Sequence, residues 1–129
     1  MMSAAEISLR VPGKQEYMLV IRTALGGVAV LKDLNVDTLD DLSMATDEAC
    51  DCLLHQGRRV ASISLSVSDL GKSLTVSLEA DFEDECQEAC EDISAMCRAV
   101  LETLVPQVEM SRCACGYIKR IDMTLPKAM

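Results

Sequence analysis

Alternation of polar and apolar residues predicts five strands, two of them in a clear hairpin. Residues 61–67 alternate apolar side chains with serines, and after a turn at residues 69–72 the alternation resumes over residues 74–80. Strict alternation is typical of strands that bury one face and expose the other. Shorter runs of the same pattern predict a strand at residues 6–11, one that starts at residues 108–110, and one at residues 117–125.

Apolar positions at helical spacing predict three helices. The first covers residues 14–33, the second residues 38–56 with Asp37 as its N-cap, and the third leads from the acidic stretch 81–85 to Pro106. The order β-α-α-β-β-α-β-β predicts an α+β fold. We expect a two-layer α/β sandwich with three helices on one face of a mostly antiparallel mixed sheet.

A pair of glycines, Gly26 and Gly27, interrupts the first predicted helix. Glycine in a helix interior costs about 1 kcal/mol relative to alanine. The pair therefore predicts that another element approaches the helix closely at this point.

Length and charge restrict the class of protein. A chain of 129 residues predicts a single domain over residues 1–129. The net charge of −9 excludes a broad basic surface for nucleic acid or for an anionic membrane. No apolar run is long enough to span a bilayer and no export signal is apparent, so we expect a cytoplasmic protein.

The seven cysteines predict reduced, packed thiols. Their number is odd, and a cytoplasmic chain keeps its thiols reduced. The pairs Cys50/Cys52 and Cys113/Cys115 are spaced more closely than zinc ligands usually are, so no metal site is expected. The remaining three recur at helical spacing, where cysteine packs as a small hydrophobic residue: Cys86, Cys90 and Cys97.

Three chemically active side chains share one flank of the second predicted helix. Glu48, Cys52 and His55 fall within about 60° of one another at 100° per residue, which predicts that they face one cavity. They form either a metal-binding set or a nucleophile with its base, or they share the flank by chance. Glu48 by itself also fits a solvated helix carboxylate.

Several segments, in order along the chain, resemble the anti-sigma-factor serine kinases. Residues 11–17 resemble the opening of that family, residues 45–50 its "a-x-x-E-A-C" segment, and residues 101–104 and 116–124 its last helix and closing strands. The family belongs to the GHKL ATPases, which share the Bergerat or histidine-kinase-like fold. The resemblance spans nearly the whole chain and implies that fold, with a shortened ATP lid.

The resemblance also implies a nucleotide site. In the family a glutamate acts as general base, and an asparagine four residues later holds magnesium. Glu48 matches the glutamate, but Cys52 stands at the asparagine position, and a thiol is a poor ligand for magnesium. Asp81 matches the aspartate that reads adenine.

The glycines that the family uses around the nucleotide are replaced. Glu83 stands where a glycine approaches the base, and Ala95 and Cys97 stand where a Gly-x-Gly segment cradles phosphate. These departures predict a degenerate site formed by Glu48, Cys52 and Asp81. No cofactor is then expected.

The resemblance implies a bacterial signalling protein that regulates transcription as an anti-sigma-like factor. Its partner would be a sigma factor or an anti-anti-sigma-like protein, and homodimers are common in the family. One alternative is an active serine/threonine protein kinase that binds ATP and magnesium and uses Glu48 as catalytic residue. A second alternative is a thiol-based metal or redox sensor that uses Cys52, His55 and the Cys113/Cys115 pair.

Overall fold

Five strands form one sheet in the computed structural model, which describes residues 6–83 and 94–127. The spatial order is β1-β2-β3-β5-β4, and all four neighbouring pairs are antiparallel. The predicted α+β sandwich is confirmed, with a sheet that is antiparallel throughout the described residues rather than mixed. Short turns join β2 to β3 and β4 to β5, and short turns allow only antiparallel pairing. The strands are β1 (Ile7–Pro12), β2 (Val60–Asp69), β3 (Ser73–Phe82), β4 (Gln107–Arg112) and β5 (Ile118–Pro126).

The described helices are α1 (Met18–Leu31), α2 (Val36–Leu54) and α3 (Ser94–Leu104), and a 3-10 turn at Gln15–Tyr17 precedes α1. The predicted order of elements is confirmed. Within the described ranges, no helix has the length and apolar content needed to cross a membrane. The predicted start of the third helix and the shortened lid lie in residues 84–93, outside the described residues.

The N-cap of α2 is Asn35, so the prediction of Asp37 as the cap was wrong. The Asn35 side-chain oxygen accepts a hydrogen bond from the Thr38 amide at 2.8 Å. Asn and Asp are both good N-caps, and the sequence offers both within three residues. Asp37 lies in the first turn instead, where a negative charge is favourable beside the helix dipole.

The apolar face of the sheet forms one layer of the core. Inward side chains of β2, β3 and β5 are fully or almost fully buried, and the helices cover them, with α2 in contact with all three strands. The opposite face carries serine, threonine and charged side chains. The buried strand residues include Ile63, Leu65, Val67, Leu74, Val76, Leu78, Ile121, Met123 and Leu125.

No described element approaches the two glycines of α1, so that prediction was wrong. A Cβ atom built at Gly26 or at Gly27 would meet nothing within 4 Å. The outer face of α1 is instead open and apolar, with Leu19 62%, Val30 78% and Leu31 74% exposed. We call Leu19, Val20, Val30 and Leu31 the α1 outer face.

An ion cluster joins the start of β1, the end of α1, the end of β2 and the end of β5. Lys32, at the C-terminus of α1, donates to Glu6 at 2.9 Å and to Asp69 at 3.0 Å, and Lys127 donates to Asp69 at 2.8 Å. Hydrogen bonds from Lys127, from the Gly71 amide and from Lys32 hold the pKa of Asp69 well below its usual value.

We expect Asp69→Asn to lower the free energy of unfolding at neutral pH. Because the pKa of Asp69 is lower in the folded than in the unfolded state, its contribution is complete above the ordinary value of 3.8 and is lost as pH falls toward the folded value. Urea unfolding at a series of pH values should show the wild type and the variant converging in acid. A constant difference at every pH would contradict this assignment.

Candidate functional site

The three predicted side chains of α2 line one cavity. Glu48, Cys52 and His55 border a space of about 200 Å³ between α2 and α3. Their helical spacing predicts this arrangement, because residues three, four and seven apart share a helix flank. Glu48 forms no hydrogen bond or ion pair with another described residue. His55 Nε2 lies 3.3 Å from Gln15 Oε1 and 4.0 Å from Asp51 Oδ1.

A disulfide joins Cys52 to Cys97, and both residues line this cavity. Both residues are buried in the core, and the bond ties α2 to α3 across 45 residues of sequence. The prediction of reduced, separately packed thiols was therefore wrong for this pair. Each cysteine fits an apolar helical position, and only the packing of α3 against α2 places the two sulfur atoms together.

The other described cysteines differ in reactivity. Burial raises the pKa of the Cys50 thiol to about 12, with a further contribution from Asp47 and Asp51. Burial acts in the same sense on Cys113, but hydrogen bonds from the backbone of Cys115 and Tyr117 and the charge of Arg58 outweigh it and lower the pKa of that thiol. Thiolate is the nucleophilic form, so Cys113 is the more reactive thiol of the two. Cys115 is itself disulfide-bonded.

Asp81 does not line the cavity. It pairs across the sheet with Ser62, on the polar face, whereas its neighbour Ala80 is buried on the face that the helices cover. The Asp81 carboxylate contacts Arg10 at 3.3 Å and Lys119 at 3.7 Å. Two of the three proposed nucleotide-site residues, Glu48 and Cys52, are thus together, and the third is on the other side of the sheet.

The residues of the cavity do not fit magnesium and ATP. The Cys52 sulfur is bonded to Cys97, and hard cations such as Mg²⁺ require oxygen ligands. The carboxylates of Glu48 and Asp51 are on the lining, and the space is below the range of about 300–1,000 Å³ usual for ligand sites. Within residues 6–83 and 94–127, no three or more His, Cys, Asp or Glu side chains are grouped to hold a metal ion.

Sequence reasoning missed the contribution of α3 to this cavity. Met96 and Cys97 complete the lining, and Met96 is largely exposed at its mouth. One feature of the sequence did point to it: Cys52 and Cys97 stand at two positions that lie around the same nucleotide in the family that the sequence resembles. That signal indicates proximity, and two cysteines in proximity can form a disulfide.

We expect no magnesium-dependent binding of ATP or ADP at millimolar nucleotide, because Cys52 supplies no oxygen ligand. Calorimetry and thermal unfolding with and without magnesium would measure this, on both oxidised and reduced protein. Saturating ligand stabilises a folded protein by a few kcal/mol, roughly 2.7 kcal/mol at a hundred times Kd. A magnesium-dependent shift of that size would contradict the prediction, and phosphate transfer to a partner that Glu48→Ala abolishes would favour the kinase alternative.

Comparisons with known proteins agree with the fold and, in part, with the sequence resemblance. No family model matches the chain. Two Mycobacterium tuberculosis proteins named anti-sigma-F factor RsbW, from strains CDC 1551 and H37Rv, are 28% identical over 74 residues, which is 57% of this chain and 44% of theirs. The chain thus matches less than half the length of these relatives.

A solved structure shows the same fold. A crystal structure of the RsbU and RsbW domains of a Mycobacterium tuberculosis protein matches 95% of this chain and 33% of that chain, with a TM-score of 0.68 and 12% identity. The sequence relatives are consistent with the resemblance to the anti-sigma-factor kinases, and the solved structure shows the shared fold.

Proposed function

We propose that this protein is an anti-sigma-factor-like regulator that acts in the cytoplasm by binding a protein partner, and that it has lost nucleotide binding. The partner is a sigma factor or an anti-anti-sigma-like protein. Similarity to proteins named anti-sigma-F factor and the shared fold support the regulatory role. The Cys52–Cys97 disulfide supports the loss of nucleotide binding. In the family that the sequence resembles, these two positions bind magnesium and cradle phosphate.

The α1 outer face supports binding to a protein. Four large aliphatic side chains lie exposed along one helix, whereas the charged groups beside them are paired: Arg22 with Asp47 at 3.1 Å and Lys32 with Glu6. The four aliphatic side chains form two pairs, one near each end of α1, and exposed apolar patches typically mark interaction surfaces. Gly27 leaves the centre of this face open to close approach by a partner.

We expect Leu19→Glu to weaken partner binding by about tenfold or more, which corresponds to about 1.4 kcal/mol. A charge buried without a partner in an apolar interface is unfavourable. The measurement is calorimetric titration of the purified protein with a panel of bacterial sigma factors and anti-anti-sigma proteins.

Leu70→Glu is the matched control, because Leu70 is 51% exposed in the turn between β2 and β3. Both variants should unfold at the temperature of the wild type. Failure of the wild type to bind any member of the panel would contradict the proposed function. Equal weakening by both variants would remove the α1 outer face from the interface.

One observation favours a second candidate function, redox sensing. The Cys52–Cys97 bond is a covalent cross-link between α2 and α3, and it can be reversed by reduction. Loss of the bond removes the covalent constraint between the helix that carries Glu48 and the helix that carries Met96 and leaves only their packing. A sensor would transmit this change to the partner-binding surface.

Reduction should destabilise the protein by about 3–5 kcal/mol, because a cross-link across some 45 residues restricts the unfolded chain. Urea unfolding with and without dithiothreitol measures the effect. The double variant Cys52→Ala/Cys97→Ala is the control, since it lacks this bond and keeps the disulfide of Cys115. An equal response in wild type and control would show that the Cys52–Cys97 bond contributes nothing to the free energy of unfolding. A bond that stays oxidised at every cellular ratio of reduced to oxidised glutathione would be structural and would contradict redox sensing.

A further inference from the structure

A groove follows the outer side of the contact between α2 and α3. The two helices are antiparallel, because Cys52 near the end of α2 is bonded to Cys97 near the start of α3. At the other end, Thr38 in the first turn of α2 shares a cavity with Leu104 in the last turn of α3. We call this surface the α2–α3 groove and define it by Asp41, Met44, Glu48, Asp51, Met96 and Val100.

Apolar side chains are exposed on both sides of the groove. On α3, Met96 is 75% exposed and Val100 is 38% exposed, and the two stand one turn apart. On α2, Met44 is 58% exposed and precedes Glu48 by one turn. Residues four apart lie on the same side of a helix. Since Glu48 and Met96 line one cavity and the helices are antiparallel, Met44 and Val100 lie at the next turn of the groove.

The α2 side of the groove carries a row of carboxylates. Asp41, Glu48 and Asp51 are spaced by seven and three residues, which places them on one flank of the helix. All 12 lysines and arginines of the chain are among the described residues, and none of them forms an ion pair with these three carboxylates. Asp51 has a titratable neighbour in His55, at 4.0 Å.

The two helices supply no compensating cation to the groove. The sequence of α2 contains neither lysine nor arginine. The single basic residue of α3 is Arg98, which donates to the backbone oxygen of Val108 in β4 at 3.0 Å and so points away from α2. The groove therefore combines exposed apolar side chains with negative charge that no basic residue of the chain neutralises.

The sequence that precedes α3 has the same sign of charge. Residues 84–93, which lie outside the described residues, contain five acidic residues and no basic one. Counting them makes the charge near the groove more negative. Because like charges repel, this segment is a poor electrostatic match for the carboxylate row. The complementary occupant carries positive charge and comes from another molecule.

We propose that the α2–α3 groove binds a basic amphipathic helix of a protein partner. The apolar side of that helix packs on Met44, Met96 and Val100, and its lysine or arginine side chains meet the carboxylate row. Exposed methionines suit this role, because their flexible side chains adapt to different apolar partners. Nucleic acid and anionic membranes are excluded by their negative charge.

A helix fits this surface better than an extended peptide does. An extended peptide gains affinity from main-chain hydrogen bonds to an open strand edge, whereas both walls of the groove are helices, which satisfy their own main-chain groups. The groove is distinct from the α1 outer face. The proposal therefore goes beyond the proposed function, and either can fail while the other holds.

The test is titration of the full, oxidised chain with a synthetic amphipathic peptide of about 14 residues, or four turns, with leucine on one face and lysine on the other. The matched peptide has glutamate in place of lysine. Methionine methyl NMR should show saturable shifts at Met44 and Met96 with the lysine peptide, and no shifts at Met18 and Met123, which are buried. Affinity should fall as salt is added. Absence of saturation at millimolar peptide, or equal binding of the glutamate peptide, would overturn the proposal.

The apolar contribution is tested by Met44→Ser/Met96→Ser, which should bind the lysine peptide about tenfold more weakly, equivalent to about 1.4 kcal/mol in calorimetry. The matched control is Leu19→Ser/Leu31→Ser on the α1 outer face, which should bind as the wild type does. All four side chains are exposed, so both variants should keep the unfolding temperature of the wild type. Equal weakening in the two variants, or weakening in the control alone, would overturn the proposal.

The charge contribution is tested by Glu48→Gln/Asp51→Asn, which should weaken binding of the lysine peptide about tenfold and reduce its dependence on salt. The control with the same change in net charge is Asp33→Asn/Glu109→Gln, at exposed positions after α1 and in β4. Equal weakening in the two variants would show a general effect of net charge and would overturn the proposal, as would no weakening in the first. Failure of the sigma-factor panel alone would contradict only the proposed function.

Discussion

The one-sidedness of the sheet is the constraint on which the rest of the structure depends. Over residues 63–67 of β2 and 74–80 of β3 every second residue is apolar and fully buried, and the residues between them are mainly serine and threonine. Burying a large aliphatic side chain contributes about 1.5–3 kcal/mol, so the apolar face must be covered. The polar face has no such requirement, and its side chains bond to one another, as Thr75 does to Thr124 at 3.0 Å.

All described helices are consequently confined to one layer. The central position belongs to α2, which contacts β2, β3 and β5 and also packs against α1 and α3. This crowding on the α3 side brings Cys52 against Cys97 and leaves the small cavity at their outer edge. On the other side, α1 uses Ile21, Leu25 and Val28 to cover the core and leaves its opposite face without a described neighbour.

The same arrangement separates two kinds of chemistry at the two sides of His55. Towards α3 the surroundings are acidic and include a disulfide, which disfavours an anion that needs magnesium. Towards β1 and β2 the lining of a second, larger cavity includes Lys14, Arg58 and Arg59 together with Glu83.

The sequence by itself determined the order of elements, the antiparallel hairpin and the shared flank of Glu48, Cys52 and His55, because each depends on local periodicity alone. It gave Asp37 as the cap of α2 where the structure has Asn35, since either side chain can accept the capping hydrogen bond. Only the tertiary structure joined Cys52 to Cys97, turned Asp81 to the polar face and gathered Lys14, Arg58 and Arg59. These are contacts between residues far apart in sequence, and they depend on helix packing and strand register, which local patterns do not fix.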